Sequence, residues 1–299
     1  MLRALVGPTA SGKSEAGLAL ATAWGAEVVS VDSMLVYRGM DIGTAKPTLA
    51  ERARVPHHLI DLAEPSERFT VSRFQTAARG VLDRLRQPLL VGGSGLYFRA
   101  VVDDLVFPPE DPAVRAALEA EADDLGVEDL FRRLAASDPV AAARIDPANV
   151  RRVVRALEVS AITGAPFSSF AAAWDHYEPE RVRAAGVRLD RGALTLRIGW
   201  RLQAMLAAGW LEEVRGLIAR GFGAWLTASQ AIGYAELTEH LDGRLELDEA
   251  VEQTVKRTKE LARRQMAWFR RDPRIRWFDA GEGGAMDVLG DIRAHLESA

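Results

Sequence analysis

The chain has 299 residues, 48% of them hydrophobic and 27% charged, with a formal net charge of −4. That length and mix fit one large or two modest globular domains and argue against a surface coated in positive charge. The absence of cysteine excludes disulfides, thiolate zinc sites and thiol nucleophiles.

No apolar run approaches the roughly 18–20 residues of a membrane span. The stretch from Met1 to Val6 runs directly into a glycine-rich loop without the features of a targeting signal. A soluble cytoplasmic enzyme with no membrane partner is the expectation. Leu2–Val6 reads as a short buried strand and Lys13–Trp24 as a helix. Glu27–Val31 reads as a second strand ending at Asp32, and Leu89–Val91 as a third ending at Gly92-Gly93. Apolar strands alternating with helices predict an α/β fold around a parallel sheet. Ligands gather at the carboxyl ends of such strands, so the glycine-rich loop, Asp32 and Ser94 are expected to converge.

Near Phe107 the texture changes. Pro108, Pro109 and Pro112 break the chain, and Ala113–Thr163 is rich in Ala, Leu, Arg and Glu at helical spacing. The irregular stretch Gly164–Arg188 follows. These features predict a core of residues 1–107 and 190–299, with residues 108–189 as a helical insertion domain. Leu194–Arg220, Ala231–Leu241 and Asp248–Arg271 read as helices. The last places Val251, Val255, Ala262, Met266 and Phe269 on one side, beside a stripe of Lys256, Lys259, Arg263 and Arg270. From Lys256 to Arg276 nine basic residues face only Glu260 and Asp272, a tract able to bind a polyanion locally.

Gly7-Pro8-Thr9-Ala10-Ser11-Gly12-Lys13-Ser14 matches G-x-x-x-x-G-K-[ST] between a strand and a helix. Glycines let successive backbone N–H groups turn inward around phosphate oxygens, and the helix N-terminus adds positive potential. Lys13 supplies charge, and the Ser14 hydroxyl is a candidate Mg2+ ligand. The motif establishes a polyphosphate site, not a phosphoryl transfer. A P-loop NTPase usually has a strand-end Asp that helps to hold Mg2+, yet Leu89-Leu90-Val91 ends in Gly92-Gly93-Ser94-Gly95. Asp32, the strand-end acid nearby, suits either magnesium or a base, and spacing does not choose between them.

The blocks GPTASGKS, VVSVDSMLVYRGMDIGTAKP (Val28–Pro47), VPHHLIDL, LLVGGSGLY, DPVAAARIDP, RRVVRALEV, QAIGY and RTKELARRQMAWFR resemble, in order and over nearly the whole chain, the bacterial tRNA dimethylallyltransferase family. That family is similar in fold to P-loop kinases. The resemblance implies that the loop cradles the diphosphate of dimethylallyl diphosphate with Mg2+, aided by Arg201. The acceptor is N6 of the adenosine immediately 3′ of a tRNA anticodon. Asp32 falls at the family's general base, and Ser94 stands where its GGTGLY motif has threonine. Contacts to tRNA map to Asp32, Ser33, Met34, Leu35, Ser94, Arg115, Arg151, Arg152, Val153, Val154, Arg155 and Gln230. Ser14 and Ser94 replace commoner threonines and keep the hydroxyl. Leu35 stands where glutamine is frequent and carries no polar contact. The resemblance also implies a monomer.

A basic surface shared between insertion and core is what gripping an anticodon stem-loop requires. His57-His58 lack a carboxylate partner at ligand spacing and read as structural. Most of the seven tryptophans read as core, with Trp174 and Trp268 as candidates for stacking on a base. Two other readings remain open: a small-molecule P-loop kinase, and a non-catalytic RNA-binding protein.

Overall fold

The computed structural model describes residues 1–225 and 227–298. The chain forms two compact units, Met1–Val102 with Glu178–Ala299, and Asp103–Tyr177.

The first unit begins β1 (Leu2–Val6), α1 (Lys13–Trp24), β2 (Glu27–Ser30), α2 (Leu49–Arg54), β3 (His57–His58), α3 (Val71–Leu82), β4 (Pro88–Gly92) and α4 (Gly95–Val102). The second contains α5 (Pro112–Leu125), α6 (Val127–Ser137), α7 (Pro139–Ala142) and α8 (Val150–Thr163). The first then resumes with β5 (Val182–Leu189), α9 (Arg191–Ala207), α10 (Trp210–Ile218), α11 (Tyr234–Leu241), α12 (Leu247–Phe269), β6 (Ile275–Ala280) and α13 (Leu289–Glu297).

The six strands form one parallel sheet in the order β3-β2-β4-β1-β5-β6. Side chains alternate across a strand, and here both faces are apolar. Ala4, Val6, Val29, Val31, Leu90 and Ala184 enter one core. Leu5, Val28, Leu89, Val91, Ala185 and Val187 enter the other. A sheet covered on both faces leaves the carboxyl ends of its strands as the place where polar groups can gather.

The sheet corrects the expected insertion boundary. Val182–Leu189, assigned to residues 108–189 from sequence, is a central strand between β1 and β6. Its Ala184-Ala185-Gly186 run lacks the β-branched signature, and packing explains why. A Cβ on Gly186 would lie 2.6 Å from Ile275 Cγ2 and 2.7 Å from the Trp277 ring. Close approach of β6 demands a small residue there.

The second unit has its own core, built around Leu118, Leu130, Leu134, Val153 and Leu157. At its centre lies Glu158, fully buried. It accepts Arg115 Nη2 at 2.6 Å, Arg155 Nη1 at 2.8 Å and the Asp111 N–H at 2.9 Å. Burial acts to raise the Glu158 carboxyl, but the hydrogen bonds from Arg155 and Arg115 prevail and hold it below its ordinary value. Arg155 also donates to Pro108 O and Pro109 O, at 2.8 and 3.0 Å. A buried carboxylate needs this degree of pairing.

Candidate active site

The phosphate loop leaves β1 and closes onto α1. Ala10 and Gly12 have left-handed backbones, with φ of 62° and 81°. Gly12 caps α1 without a side-chain hydrogen bond, so the first N–H groups of the helix remain open to an anion. Three loop carbonyls are occupied, Ala10 O and Ser11 O from outside the loop and Pro8 O from within it. Arg197 Nε donates to Ala10 O at 2.8 Å, the Ala285 N–H donates to Ser11 O at 2.8 Å, and Lys13 Nζ donates to Pro8 O at 3.0 Å. The Thr9 and Ser11 amides are taken by Gln265 and Pro8 O, and those of Gly12, Lys13 and Ser14 are left to face an anion.

Lys13 is buried. Burial, and then the Arg201 guanidinium, push its ammonium down to about 8, while Asp32 acts in the opposite direction. Arg201 is held below its ordinary value by burial, with Asp32 again opposing. Two cations and one carboxylate therefore share a single field. Arg201 also borders a cavity of about 560 Å³ with an apolar wall of Ile42, Leu49, Ala204, Met205 and Ala208. Its Nη2 donates to Thr44 O at 3.5 Å.

Asp32 follows β2, and Ser94 follows β4. Val31 joins them: its N–H donates to Val91 O at 2.9 Å, and its carbonyl accepts the Ser94 N–H at 3.1 Å. Asp32 Oδ1 accepts the Met34 N–H at 2.8 Å, which fixes the carboxylate as a turn does. Among the described residues Oδ2 has no hydrogen-bond partner. The arrangement holds a carboxylate with one open oxygen beside a dicationic phosphate cradle, which is the equipment for taking a proton while a phosphate leaving group departs.

The DIGTAKP segment is positioned from α10. Glu213 accepts the N–H groups of Asp41 and Ile42 at 2.8 Å, that of Gly43 at 3.2 Å, and the Tyr234 hydroxyl at 2.6 Å. Gly43 must be glycine because a Cβ there would overlap the Trp210 indole. Lys46 is buried, with its ammonium on Tyr37 O at 2.6 Å and on Asp61 at 2.7 Å.

The residues expected at RNA divide into groups. Ser33, Met34 and Leu35 are half-buried beside Asp32, and Gln230 is exposed on a short helical turn. Arg151 and Arg152 are exposed in the first turn of α8. Val153 and Val154 differ from expectation: both side chains are buried in the helical core and offer no surface to a ligand. Arg115 and Arg155 are committed to Glu158. His58 pairs with Glu27 at 2.7 Å, and His57 Nδ1 lies 2.8 Å from Val55 O. Trp174 meets Phe107 edge to face within the second unit, and Trp268 is 38% exposed on α12.

The IPP transferase family model matches residues 35–272, and the isopentenyl transferase model matches residues 1–60. This chain belongs to the IPP transferase family. The tRNA dimethylallyltransferase of Salinispora arenicola is 51% identical over 296 residues, covering 97% of this chain and 86% of that one. That of Desulforudis audaxviator is 46% identical over 298 residues, covering 96% of each. Among solved structures, the full-length tRNA isopentenylpyrophosphate transferase from Bacillus halodurans is similar at 40% identity and a TM-score of 0.68. That match covers 99% of this chain and 96% of the other. The sheet with its phosphate loop after β1 is the P-loop kinase-like α/β fold of that family, and a member of it is a prenyltransferase.

For an IPP transferase, the residues that sequence reasoning passed over are those that set the loop from outside: Arg197, Gln265 and the Gly284-Ala285 turn. Gln265 lies inside the block RTKELARRQMAWFR, whose basic stripe and apolar face gave it no role of its own. Its signal was a lone uncharged polar residue between Arg264 and the apolar positions Met266 and Phe269.

Proposed function

We propose that the protein transfers the dimethylallyl group of dimethylallyl diphosphate to N6 of the adenosine immediately 3′ of the anticodon in tRNA, releasing diphosphate. It does so as a monomer in the cytoplasm. The observation that carries this reading is the open carboxylate of Asp32 in one field with Lys13 and Arg201. A new N6–C1 bond forms as the C1–O bond to diphosphate breaks. N6 gains positive charge, and Asp32 Oδ2 takes its proton.

The departing diphosphate gains negative charge at the same moment. The amides from Gly12 to Ser14, Lys13 and Arg201 receive it in a preorganised cradle. Ser94, two residues past the end of β4 and bound through its N–H to the Val31 carbonyl, serves to orient the acceptor base with its hydroxyl. An adenine stacked in an anticodon loop has to leave the stack to arrive there.

Mg2+ fits this donor set. Among the described residues no cluster of three His, Cys, Asp or Glu side chains exists to cage a metal, and Ser14 presents an exposed hydroxyl on the first turn of α1. One hard oxygen ligand completed by phosphate oxygens and water is the usual way to hold Mg2+. When bound, the ion supplies charge neutralisation at the diphosphate.

Lys13 makes diphosphate binding pH-dependent. Its ammonium titrates near 8 in the free protein, and a bound anion favours the charged form. Binding above that pH therefore takes up a proton, and the Kd for inorganic pyrophosphate rises by up to about tenfold per pH unit above 8. Calorimetry in buffers of different ionisation enthalpy checks the uptake. The Lys13→Met variant is expected to bind weakly at every pH and to lose the proton uptake contributed by this side chain.

The second unit is proposed to grip the anticodon stem-loop through Arg151 and Arg152, with Gln230 and the Ser33–Leu35 turn serving from the first unit. Replacing Arg151 and Arg152 with Ala weakens tRNA binding and reduces the slope of log K against log salt by about 1–2. An unaltered slope in a filter-binding series places both arginines in solvent.

The decisive experiment is mass spectrometry of unmodified tRNA after incubation with dimethylallyl diphosphate and Mg2+. Gain of one dimethylallyl group supports the reading. Binding without mass gain leaves an RNA-binding protein, and transfer of the γ-phosphate from ATP to a small molecule leaves a kinase.

A further inference from the structure

Helix α12 reaches the phosphate loop through one side chain. Gln265 Oε1 accepts the Thr9 N–H at 2.8 Å, a contact between residues 256 positions apart. The same carboxamide rests on the turn after β4. A Cβ built on Gly93 would stand 2.6 Å from Gln265 Nε2, and one on Gly95 would stand 2.9 Å from Trp268 Cβ. Gly95, the first residue of α4, is required by the seating of α12, whereas a side chain at Gly93 would displace the Gln265 carboxamide; Gln265 and Trp268 share one helical face. Strands β1 and β4 are neighbours, paired at Val6 and Gly92, so Gln265 spans two adjacent strand ends.

We propose that Gln265 is a positioning residue for the leaving group: it ties the Thr9 arm of the phosphate loop to the turn that carries Ser94 and so sets the shape of the diphosphate cradle. This rests on the reading of the loop as a diphosphate site. Thr9 precedes Ala10, a non-glycine residue in left-handed conformation, and such a backbone persists only where its surroundings hold it. Arg197 and Ala285 hold loop carbonyls, whereas Gln265 holds an amide hydrogen, which an anion would otherwise attract.

The identity of the side chain follows from charge. A carboxylate would accept the Thr9 N–H more strongly than an amide oxygen does. It would also place a negative charge on the loop that must receive a diphosphate. A neutral acceptor is the choice that fixes the loop without opposing its ligand, on a helix whose neighbouring positions 263 and 264 are exposed arginines.

The test uses the full chain with Gln265→Leu and Gln265→Glu. Titration calorimetry with inorganic pyrophosphate and Mg2+ is read beside KM for both substrates and beside thermal melting. Leu, which keeps the bulk, is expected to raise the pyrophosphate Kd and the KM for the prenyl diphosphate about tenfold, with the KM for tRNA within about twofold. Glu, which keeps the acceptor, should melt no lower than Leu yet bind pyrophosphate more weakly than Leu. Pyrophosphate affinity at the wild-type level in both variants overturns the proposal, as does a tRNA KM that rises in step with that of the donor. A wild-type protein that binds pyrophosphate but modifies no tRNA sinks the proposed function and leaves this inference standing. One that does not bind pyrophosphate sinks both.

Discussion

Asp32→Asn lowers turnover by about 10²–10⁴-fold, the range that a positioned general base contributes, and leaves tRNA affinity near that of the wild type. Asn is the sharper substitution because its side-chain oxygen still accepts the Met34 N–H that Asp32 Oδ1 accepts at 2.8 Å. The turn from residue 32 to residue 35 therefore keeps its form while the group at Oδ2 loses its basicity. Asp32→Ala removes both, so a difference between the two variants measures the contribution of the turn. Single-turnover measurement with saturating tRNA isolates the chemical step from product release. Asp32 also raises the Lys13 ammonium, so the Asn variant should take up a proton with pyrophosphate from a lower pH than the wild type does. Turnover unchanged in Asp32→Asn removes Asp32 as the base, and the proton would have to leave by another route.

How much of this was legible depends on how local each feature is. The step from Leu2–Val6 through the glycine loop into α1 lies in consecutive residues and was readable. So was the helical texture of the second unit, whose α5 and α8 carry apolar residues at helical spacing. Strand β5 was missed because its identity depends on β6: Gly186 is small to admit Ile275 and Trp277, and small residues carry no strand signal of their own. Strand β6 was hidden in a basic tract because Arg276 and Asp279 face outward between buried Ile275, Phe278 and Ala280.

The same limit applies to the arginines. A sequence shows Arg115 and Arg155 as two positive charges. It does not show that Glu158, three residues beyond Arg155 on α8, is buried between them and accepts from both. In the same block, the 3.6-residue period of α8 places Val153 and Val154 beneath the surface that Arg151 and Arg152 present.

Gly92→Ala is the second large effect, and it tests why the β4 end reads Gly-Gly rather than ending in a carboxylate. A Cβ at Gly92 would lie 2.6 Å from the Val31 carbonyl carbon and closer still to its oxygen. Both atoms belong to backbone that is bound on each side, with the Val31 N–H on Val91 O and the Val31 carbonyl accepting from the Ser94 N–H. No side chain can rotate to relieve the contact, so β2 and β4 must part at the point where Asp32 and Ser94 emerge. Overpacking of about 1–3 kcal/mol, with weakening of two hydrogen bonds at about 0.5–1.5 kcal/mol each, predicts a loss of roughly 2–6 kcal/mol. That is a large share of the roughly 5–15 kcal/mol that holds a domain folded. Thermal denaturation should show a melting point lower by roughly 5–15 °C, and the surviving folded protein should turn over more slowly because its base and hydroxyl have separated. Gly216→Ala supplies the contrast: Gly216 lies within α10, and a Cβ there would meet nothing within 4 Å. The same added methyl should raise stability by about 0.5–1 kcal/mol at that position. Opposite signs from one chemical change would show that the glycine at the strand end is required by the closeness of Asp32 and Ser94, whereas a Gly92→Ala protein that melts and turns over like the wild type would mean that the two strand ends part without cost.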